Sequence, residues 1–132
     1  MGSRRNLLLE KYKAITTIPV HDIENAADFY GTILGLKKIG TNKVALLFDC
    51  GGATVGLYES GTAGTGQATC LWWTVDDVKA TVKKLKRKGV VFDTNYDLIY
   101  TKRQGDIYLL DDDMQAAWFR DIDGNILGLG NF

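Results

Sequence analysis

The sequence has little of what several specialised protein classes require. Its two cysteines, Cys50 and Cys70, are too few for a disulfide framework. Lysine and arginine together number 16, as do aspartate and glutamate, so the chain lacks the excess of basic residues found in nucleic-acid-binding domains. No run of about 18 apolar residues occurs, and no membrane-spanning helix is therefore predicted. From these absences we expect a cytoplasmic protein that binds neither nucleic acid nor a membrane.

Residues that bind metal ions are also scarce. His21 is the single histidine, and its place between a predicted strand and a predicted helix is typical of an exposed turn residue. Zinc sites need at least three protein ligands. The acidic run Asp111-Asp112-Asp113 has no ligand spacing and is typical of a solvated loop. The sequence predicts no metal site and no other cofactor.

What the chain does contain is one pattern repeated twice. In the first copy, about residues 12–60, a strand rich in β-branched residues precedes a helix capped by Asp22 and three short strands. The second copy, about residues 67–132, has the same order, with Asp77 as the helix cap. With 45% hydrophobic residues, the chain can bury a sizeable core. We expect one α+β domain over residues 1–132, built from two β-α-β-β-β modules.

The spacing of short motifs supports the repeat and locates an insertion. Val20 in VHDI and Val75 in VDDV are 55 residues apart. Gly56 and Gly128, each of which is followed by leucine, are 72 residues apart. The difference of 17 residues places an insertion in the second module, within residues 93–114. Two roles remain open for this segment: a lid over a cleft, or an arm that contacts a second subunit in a dimer.

Two modules of this kind, with IPVHDIENAADFYGTILGL at residues 18–36 and FRDIDGNILGL at residues 119–129, resemble the vicinal oxygen chelate superfamily. That superfamily includes glyoxalases, fosfomycin-modifying enzymes, extradiol dioxygenases and bleomycin-binding resistance proteins. The resemblance covers nearly the whole chain from about Ala14. It implies two curled mixed sheets around a central cleft, with the helices outside. It does not imply one function, because this fold hosts several chemistries.

The metal-binding positions of that superfamily can be located by counting from the motifs. Its enzymes commonly hold a divalent ion with side chains from the first and last strands of each module. These positions fall on Ile15, Gly56, Cys70 and Gly128. Isoleucine and glycine have no ligating atom, and one thiolate is not enough. The chain therefore is most similar to the metal-free, drug-binding branch of the superfamily.

The alternation of strand side chains then predicts which residues line the cleft. If Cys70 and Gly128 face the cleft, Trp72, Trp118 and Arg120 face it too. The repeat offset then assigns the corresponding residues of the first module to the cleft. The predicted ligand-contacting residues are Thr17, Leu46, Phe48, Gly56, Tyr58, Cys70, Trp72, Trp118, Arg120 and Gly128.

This set predicts binding without a metal ion of a planar or aromatic organic molecule, for sequestration of a drug or metabolite. Aromatic walls suit flat ligands, which we expect between Trp72 and Trp118, and Arg120 offers a partner for an anionic group. The resemblance also implies a homodimer, since clefts in that branch are commonly completed across the subunit interface. No catalytic residue is predicted. A metal-free isomerase, lyase or hydrolase using Arg120, Cys70 or the insertion stays open, as does a scaffold whose tryptophans fill the cleft.

Overall fold

The structure, a computed structural model, describes residues 8–96, 102–111 and 113–132. The helices are α1 (Ile23–Asp28), a π-helical continuation of α1 (Phe29–Ile33), here called the π turn, and α2 (Val78–Arg87). The strands are β1 (Thr16–Val20), β2 (Lys37–Thr41), β3 (Leu46–Cys50), β4 (Ala53–Glu59), β5 (Thr69–Thr74), β6 (Phe92–Asp93), β7 (Lys102–Gln104), β8 (Ile107–Asp111), β9 (Met114–Arg120) and β10 (Ile126–Gly130).

Both helices begin at the predicted caps. The Asp22 carboxylate accepts a hydrogen bond from the Asn25 backbone N–H at 3.2 Å, and the Asp77 carboxylate accepts one from that of Ala80 at 2.9 Å. These bonds satisfy donors that a helix leaves unpaired in its first turn. After α2 the chain reverses at Gly89, whose φ of 94° lies in the left-handed region. Neither helix in the described residues is long and apolar enough to span a membrane.

The strands form two mixed sheets, one in each module. The first has the order β1-β4-β3-β2, and the second has the order β5-β10-β9-β8-β7, with β6 also pairing with β9. In each module the first strand lies parallel to the last, β1 beside β4 and β5 beside β10. This arrangement confirms the predicted α+β class and its two repeated modules.

The predicted insertion lies within residues 93–114, of which residues 97–101 and 112 fall outside the described part of the chain. Its described residues include β7 and β8, an antiparallel pair that extends the second sheet from β9. Tyr108 of β8 is buried, with 2% of its surface exposed. The described part of the insertion is therefore integral to the second sheet.

The two modules share one hydrophobic core. It joins Ile18 and Leu57 of the first sheet with Phe119 and Leu127 of the second, all at most 1% exposed. Both helices pack on this side of the sheets, through Ala26 of α1 and Val82 of α2. The opposite faces of the sheets therefore point away from the core, and within one chain the sheets do not close around the expected central cleft.

The loop between β9 and β10 ties the modules together. The buried Asp121 accepts a 2.6 Å hydrogen bond from the Tyr30 hydroxyl of the first module and bonds from the backbone N–H groups of Asp123 and Asn125. The Asn125 amide donates to the Pro19 carbonyl at 2.8 Å. The DIDGN segment at residues 121–125 thus has a structural role, because its side chains bond with polar groups of both modules.

Candidate functional site

The first sheet presents a surface that we call the first glycine face, formed by Ile15, Thr17, Leu47, Gly56 and Tyr58. Gly56 of β4 pairs with Thr17 of β1 and with Leu47 of β3, so these residues lie side by side. A Cβ atom on Gly56 would lie 3.2 Å from Leu47 Cδ2 and 3.8 Å from Ile15 Cγ2. Ile15 is 46% exposed and Tyr58 is 36% exposed. This face is apolar and open to solvent.

The second sheet presents the second glycine face, formed by Thr69, Trp72, Trp118, Gly128 and Gly130. A Cβ atom on Gly128 would lie 2.8 Å from Trp118 Nε1 and 2.8 Å from Trp72 Cε3, and one on Gly130 would lie 2.5 Å from Trp72 Cζ2. The two indoles therefore lie directly on the backbone of β10. Glycine interrupts this strand because any larger residue would displace the tryptophans.

Around these indoles lies an aromatic cluster of five side chains. Its members are Trp72, Tyr96, Tyr108, Trp118 and Phe132. Ring centroids are 6.0 Å apart for Trp72 and Trp118, 5.2 Å for Trp72 and Phe132, and 5.4 Å for Tyr96 and Trp118. Such distances are those of aromatic rings in direct contact. Apart from the buried Tyr108, the cluster is partly exposed and offers an aromatic surface to a ligand.

The spacing of the two indoles excludes a ligand between them in this arrangement. A planar molecule held between two rings needs about 7 to 8 Å, which is two contact distances. The centroids of Trp72 and Trp118 are 6.0 Å apart, and their planes are tilted by 57°. In this arrangement a ligand would contact their outer surfaces, and the predicted enclosure of a planar ligand between the two rings would require one indole to move.

Hydrogen bonds fix the orientation of both indoles. Trp118 Nε1 donates to Thr69 Oγ1 at 3.1 Å, and Trp72 Nε1 donates to the backbone oxygen of Phe132 at 3.2 Å. The Thr74 hydroxyl donates to the same Phe132 oxygen at 3.0 Å. Because both indole N–H groups have partners, the aromatic cluster offers a ligand mainly ring surface.

An open pocket of about 440 Å³ adjoins the cluster. Its walls are residues 64–67 of the linker between the modules, with Tyr96, Arg120 and Ile126. The Arg120 Nε donates to Asp93 at 3.0 Å, and an Arg120 terminal nitrogen donates to the Gly124 carbonyl at 3.3 Å. A guanidinium has five N–H donors, so Arg120 retains donors for a ligand.

The Tyr96 hydroxyl at this pocket is held as a neutral phenol. Burial raises the pKa of Tyr96 to about 12, and its 2.9 Å hydrogen bond to Asp93 acts in the same direction. The Tyr96 backbone N–H is also bonded, to the Tyr108 hydroxyl at 2.9 Å. The rim of the pocket therefore combines a phenol with one arginine that is already paired.

Two predicted site residues, Leu46 and Phe48, lie on the face of β3 opposite to the predicted one. Leu46 and Phe48 are 3% and 1% exposed and belong to the shared core, where Phe48 lies beside Tyr30. The prediction that they contact a ligand is wrong, and Leu47 occupies the glycine face instead.

The cause is the length of a turn. In the first module Asp49 pairs with Thr54 across four intervening residues, whereas in the second Arg120 pairs with Ile126 across five. The offset of 72 residues therefore holds for β4 and β10 but becomes 71 for β3 and β9. The short Gly51-Gly52 turn was the signal that could have revealed this shift.

Cys70 is displaced by a β-bulge. Thr69 pairs with Ile126 and Leu71 pairs with Leu127, so Cys70 is the extra residue on its strand. Its thiol donates to the Ile126 carbonyl at 3.4 Å, and Thr69 takes the predicted place beside Trp118. Burial raises the pKa of Cys70, and the nearby Asp121 carboxylate raises it further.

The remaining predicted residues are divided between two surfaces. The first glycine face holds Thr17, Gly56 and Tyr58, the second holds Trp72, Trp118 and Gly128, and Arg120 lies at the adjoining pocket. Sequence reasoning did not identify Tyr96 or Phe132 as members of the site. Their contacts depend on how the insertion and the end of the chain fold back onto β9 and β5, which no local pattern indicates.

Groups that could bind a metal ion do not gather on either glycine face. Over residues 8–96, 102–111 and 113–132, no three His, Cys, Asp or Glu side chains lie close enough together to hold an ion. The four positions counted from the motifs carry Ile15, Gly56, Gly128 and the bulged Cys70.

Comparison with known proteins identifies the same superfamily that the sequence motifs resemble. The family model described as the glyoxalase/bleomycin resistance protein/dioxygenase superfamily matches residues 14–129. No curated protein sequence matches the chain.

Several solved structures are similar over nearly the full length. TnmS3, an antibiotic binding protein from Streptomyces sp. CB03234, is 25% identical, with a TM-score of 0.64 over 93% of this chain and 97% of that one. A glyoxalase/bleomycin resistance protein from the same Streptomyces is 27% identical, with a TM-score of 0.58 over 89% and 98% of the two chains. The fosfomycin resistance protein FosX from Listeria monocytogenes, at 14% identity and a TM-score of 0.67 over 89% of each chain, shares the fold.

Proposed function

Because this chain belongs to the glyoxalase/bleomycin resistance protein/dioxygenase superfamily, we propose that it binds a small planar or aromatic organic molecule at the second glycine face. The observation that carries this proposal is the partly exposed aromatic cluster beside an open pocket of about 440 Å³. Small-molecule sites are typically apolar, with a few polar groups that orient the ligand. The similarity to an antibiotic binding protein supports a drug or metabolite as the ligand.

In this proposal the ligand stacks against the outer surface of Trp118 and extends into the pocket. Tyr96 adds a second ring, 5.4 Å from Trp118 and at a steep angle to it. The remaining N–H donors of Arg120 would bind an acidic or carbonyl substituent. The ring surface supplies affinity, and the rim selects the substituents.

The proposed binding needs no metal ion or other cofactor. Support comes from the residues at the four counted positions, where Gly56 and Gly128 have no ligating atom and Ile15 has only carbon. The ligand is then held by ring contacts and hydrogen bonds alone.

We also propose that the functional unit is a homodimer. The two glycine faces of one chain point away from its core, and exposed apolar groups such as Ile15 and Tyr58 lie on the first. Placing the first glycine face of one chain over the second face of another would cover both and enclose the aromatic cluster. A two-fold axis would repeat this contact, which closes the assembly at two chains.

The enzymatic alternative has weaker support. Burial raises the pKa of Cys70, which lowers its thiolate fraction and its reactivity as a nucleophile. Arg120 is engaged by Asp93. Binding without chemistry is the function that these groups support best.

The proposal can be tested by titrating the protein with planar antibiotics and polycyclic aromatic metabolites while following tryptophan fluorescence. We expect saturable quenching in the wild type and loss of both quenching and binding in Trp118→Leu. Quenching should persist in Trp73→Phe, because Trp73 lies on the core side, stacked on Phe119. Dialysis against a chelator should leave the affinity unchanged.

Two outcomes would contradict the proposal. Binding that disappears on chelation and returns with a divalent ion would exclude the metal-free mode. Equal loss of affinity in the Trp118 and Trp73 variants, with both still folded, would place the ligand elsewhere.

A further inference from the structure

A second cavity lies between α1 and the second module, apart from the aromatic cluster. It is an open groove of about 490 Å³, bounded by α1 and the π turn on one side and by the segment after α2 and the end of β9 on the other. We call it the helix-side groove. Of the residues that line the pocket beside the aromatic cluster, only Arg120 also lines this groove.

The groove has an apolar lining. The residues that provide it are Phe29, Ile33, Val90, Val91 and Ile122. Val91 is 80% exposed and Ile122 is 58% exposed, although both are large hydrophobic residues. Together with the other apolar lining they form a grouped apolar surface, and it is such groups, rather than single exposed residues, that mark sites covered by a ligand or partner.

The groove also carries an excess of negative charge. Its lining includes Asp28, Asp93 and Asp121 against the single Arg120, a formal excess of two negative charges. Asp93 is paired with Arg120, and Asp121 accepts from Tyr30. Within the described residues, no hydrogen bond or ion pair engages the exposed Asp28 carboxylate. A cation therefore has an available partner in this groove, whereas an anion would be repelled.

One wall of the groove has an uncommon backbone. The π turn has a hydrogen bond from Leu34 N to the Phe29 carbonyl, five residues earlier, at 2.9 Å. It supplies Phe29 and Ile33 to the lining. Turns of this kind are rare inside helices and are frequent at functional sites.

We infer that the helix-side groove is a second binding site, which takes a small organic cation with an apolar or aromatic body. The ammonium group would pair with Asp28, and the body would lie against Phe29, Ile33 and Val91. An aromatic side chain next to a cation adds a further attraction. This site is distinct from the one proposed at the second glycine face, and the two share only Arg120.

The test is a titration of the isotope-labelled 132-residue chain, followed by amide chemical shifts, with phenethylammonium as the probe. Its neutral analogue 2-phenylethanol and its anionic analogue 3-phenylpropionate keep the ring and change the charge. We expect shifts at Phe29, Val91 and Ile122, with affinity falling in the order cation, alcohol, carboxylate. Asp28→Asn should weaken cation binding about three- to fivefold, the effect of losing one exposed ion pair.

Matched variants separate the groove from general charge effects. Glu24→Gln removes an exposed carboxylate from the same helix but away from the groove, and it should leave the affinity unchanged. Val91→Lys should abolish cation binding, whereas Val44→Lys, at a 72% exposed valine outside the groove, should not.

Four results would overturn the inference. They are equal affinity for the cation and the alcohol, equal weakening by Asp28→Asn and Glu24→Gln, probe-induced shifts confined to the glycine faces, and absence of shifts at millimolar probe.

Discussion

At the scale of single residues, two glycines with similar places in the repeat have different neighbours. A Cβ atom at Gly128 would lie 2.8 Å from atoms of two indole rings, which hydrogen bonds hold in place. A Cβ atom at Gly56 would lie 3.2 Å from the end of the flexible Leu47 side chain. The same substitution should therefore have different costs at the two positions.

We expect Gly128→Ala to lower the free energy of unfolding by about 1–3 kcal/mol, because the tryptophans must move to admit the methyl group. Gly56→Ala should change it by less than about 1 kcal/mol, since Leu47 can adjust and alanine restricts the unfolded chain. Urea unfolding of both variants measures the difference. Equal effects would show that the indoles do not lie on β10 as described.

At the scale of elements, much of the fold could be predicted from sequence because local chemistry specifies it. Asp22 and Asp77 cap the helices, and the repeated motifs fix the strand order of both modules. The errors arose where one extra or missing residue changes the alternation. The turn before β4 is one residue shorter than its counterpart, so counting by the repeat offset assigned Phe48 to the exposed face although it lies in the core. A bulge in β5 puts Cys70 out of the expected register. Tyr96 could not be assigned to the site from sequence, since only folding brings it to Trp118.

The β9–β10 loop depends on contacts with the first module. Tyr30→Phe removes a 2.6 Å hydrogen bond to the buried Asp121 carboxylate, and we expect a loss of about 1.5–3 kcal/mol in unfolding free energy. Tyr12→Phe, at a 64% exposed tyrosine, should change it by less than about 0.5 kcal/mol. Urea unfolding provides the measurement, and equal losses would contradict the role assigned to Asp121.

Tyr96, just after β6, predicts a dependence of stability on pH. Its pKa is raised to about 12 in the folded protein, whereas an unfolded tyrosine ionises at about 10. Above pH 10 the unfolded chain therefore binds fewer protons than the folded one, and stability falls as the pH rises. The contribution is fully present below about pH 10 and is lost between about pH 10 and 12.

Unfolding free energies measured across this alkaline range should fall less steeply in Tyr96→Phe than in the wild type. Tyrosinate absorbance of the folded protein should show one late titration that the variant lacks. An unchanged slope in the variant would mean that Tyr96 is not held neutral by its surroundings.

At the scale of the whole molecule, the shared core leaves two sheet surfaces without a partner in the chain. The proposed dimer covers them, and its stability should rise with protein concentration. Ile15→Asp places a charge on the first glycine face, and we expect it to give monomers in sedimentation experiments. Ile122→Asp, at a residue of comparable exposure in the helix-side groove, should leave the dimer intact. A monomeric wild type would refute the dimer.

The difference in length between the two hairpin turns bears on how duplicated modules diverge. In this molecule the missing residue is taken up within the turn itself. Leu47 and Trp118, 71 positions apart, each lie opposite the equivalent glycine of the neighbouring strand, so both hairpins keep the same pairing. A single codon gained or lost in such a loop therefore leaves the strand faces of two descendants of one ancestral unit unchanged, and their surfaces differ through substitutions such as leucine in one and tryptophan in the other.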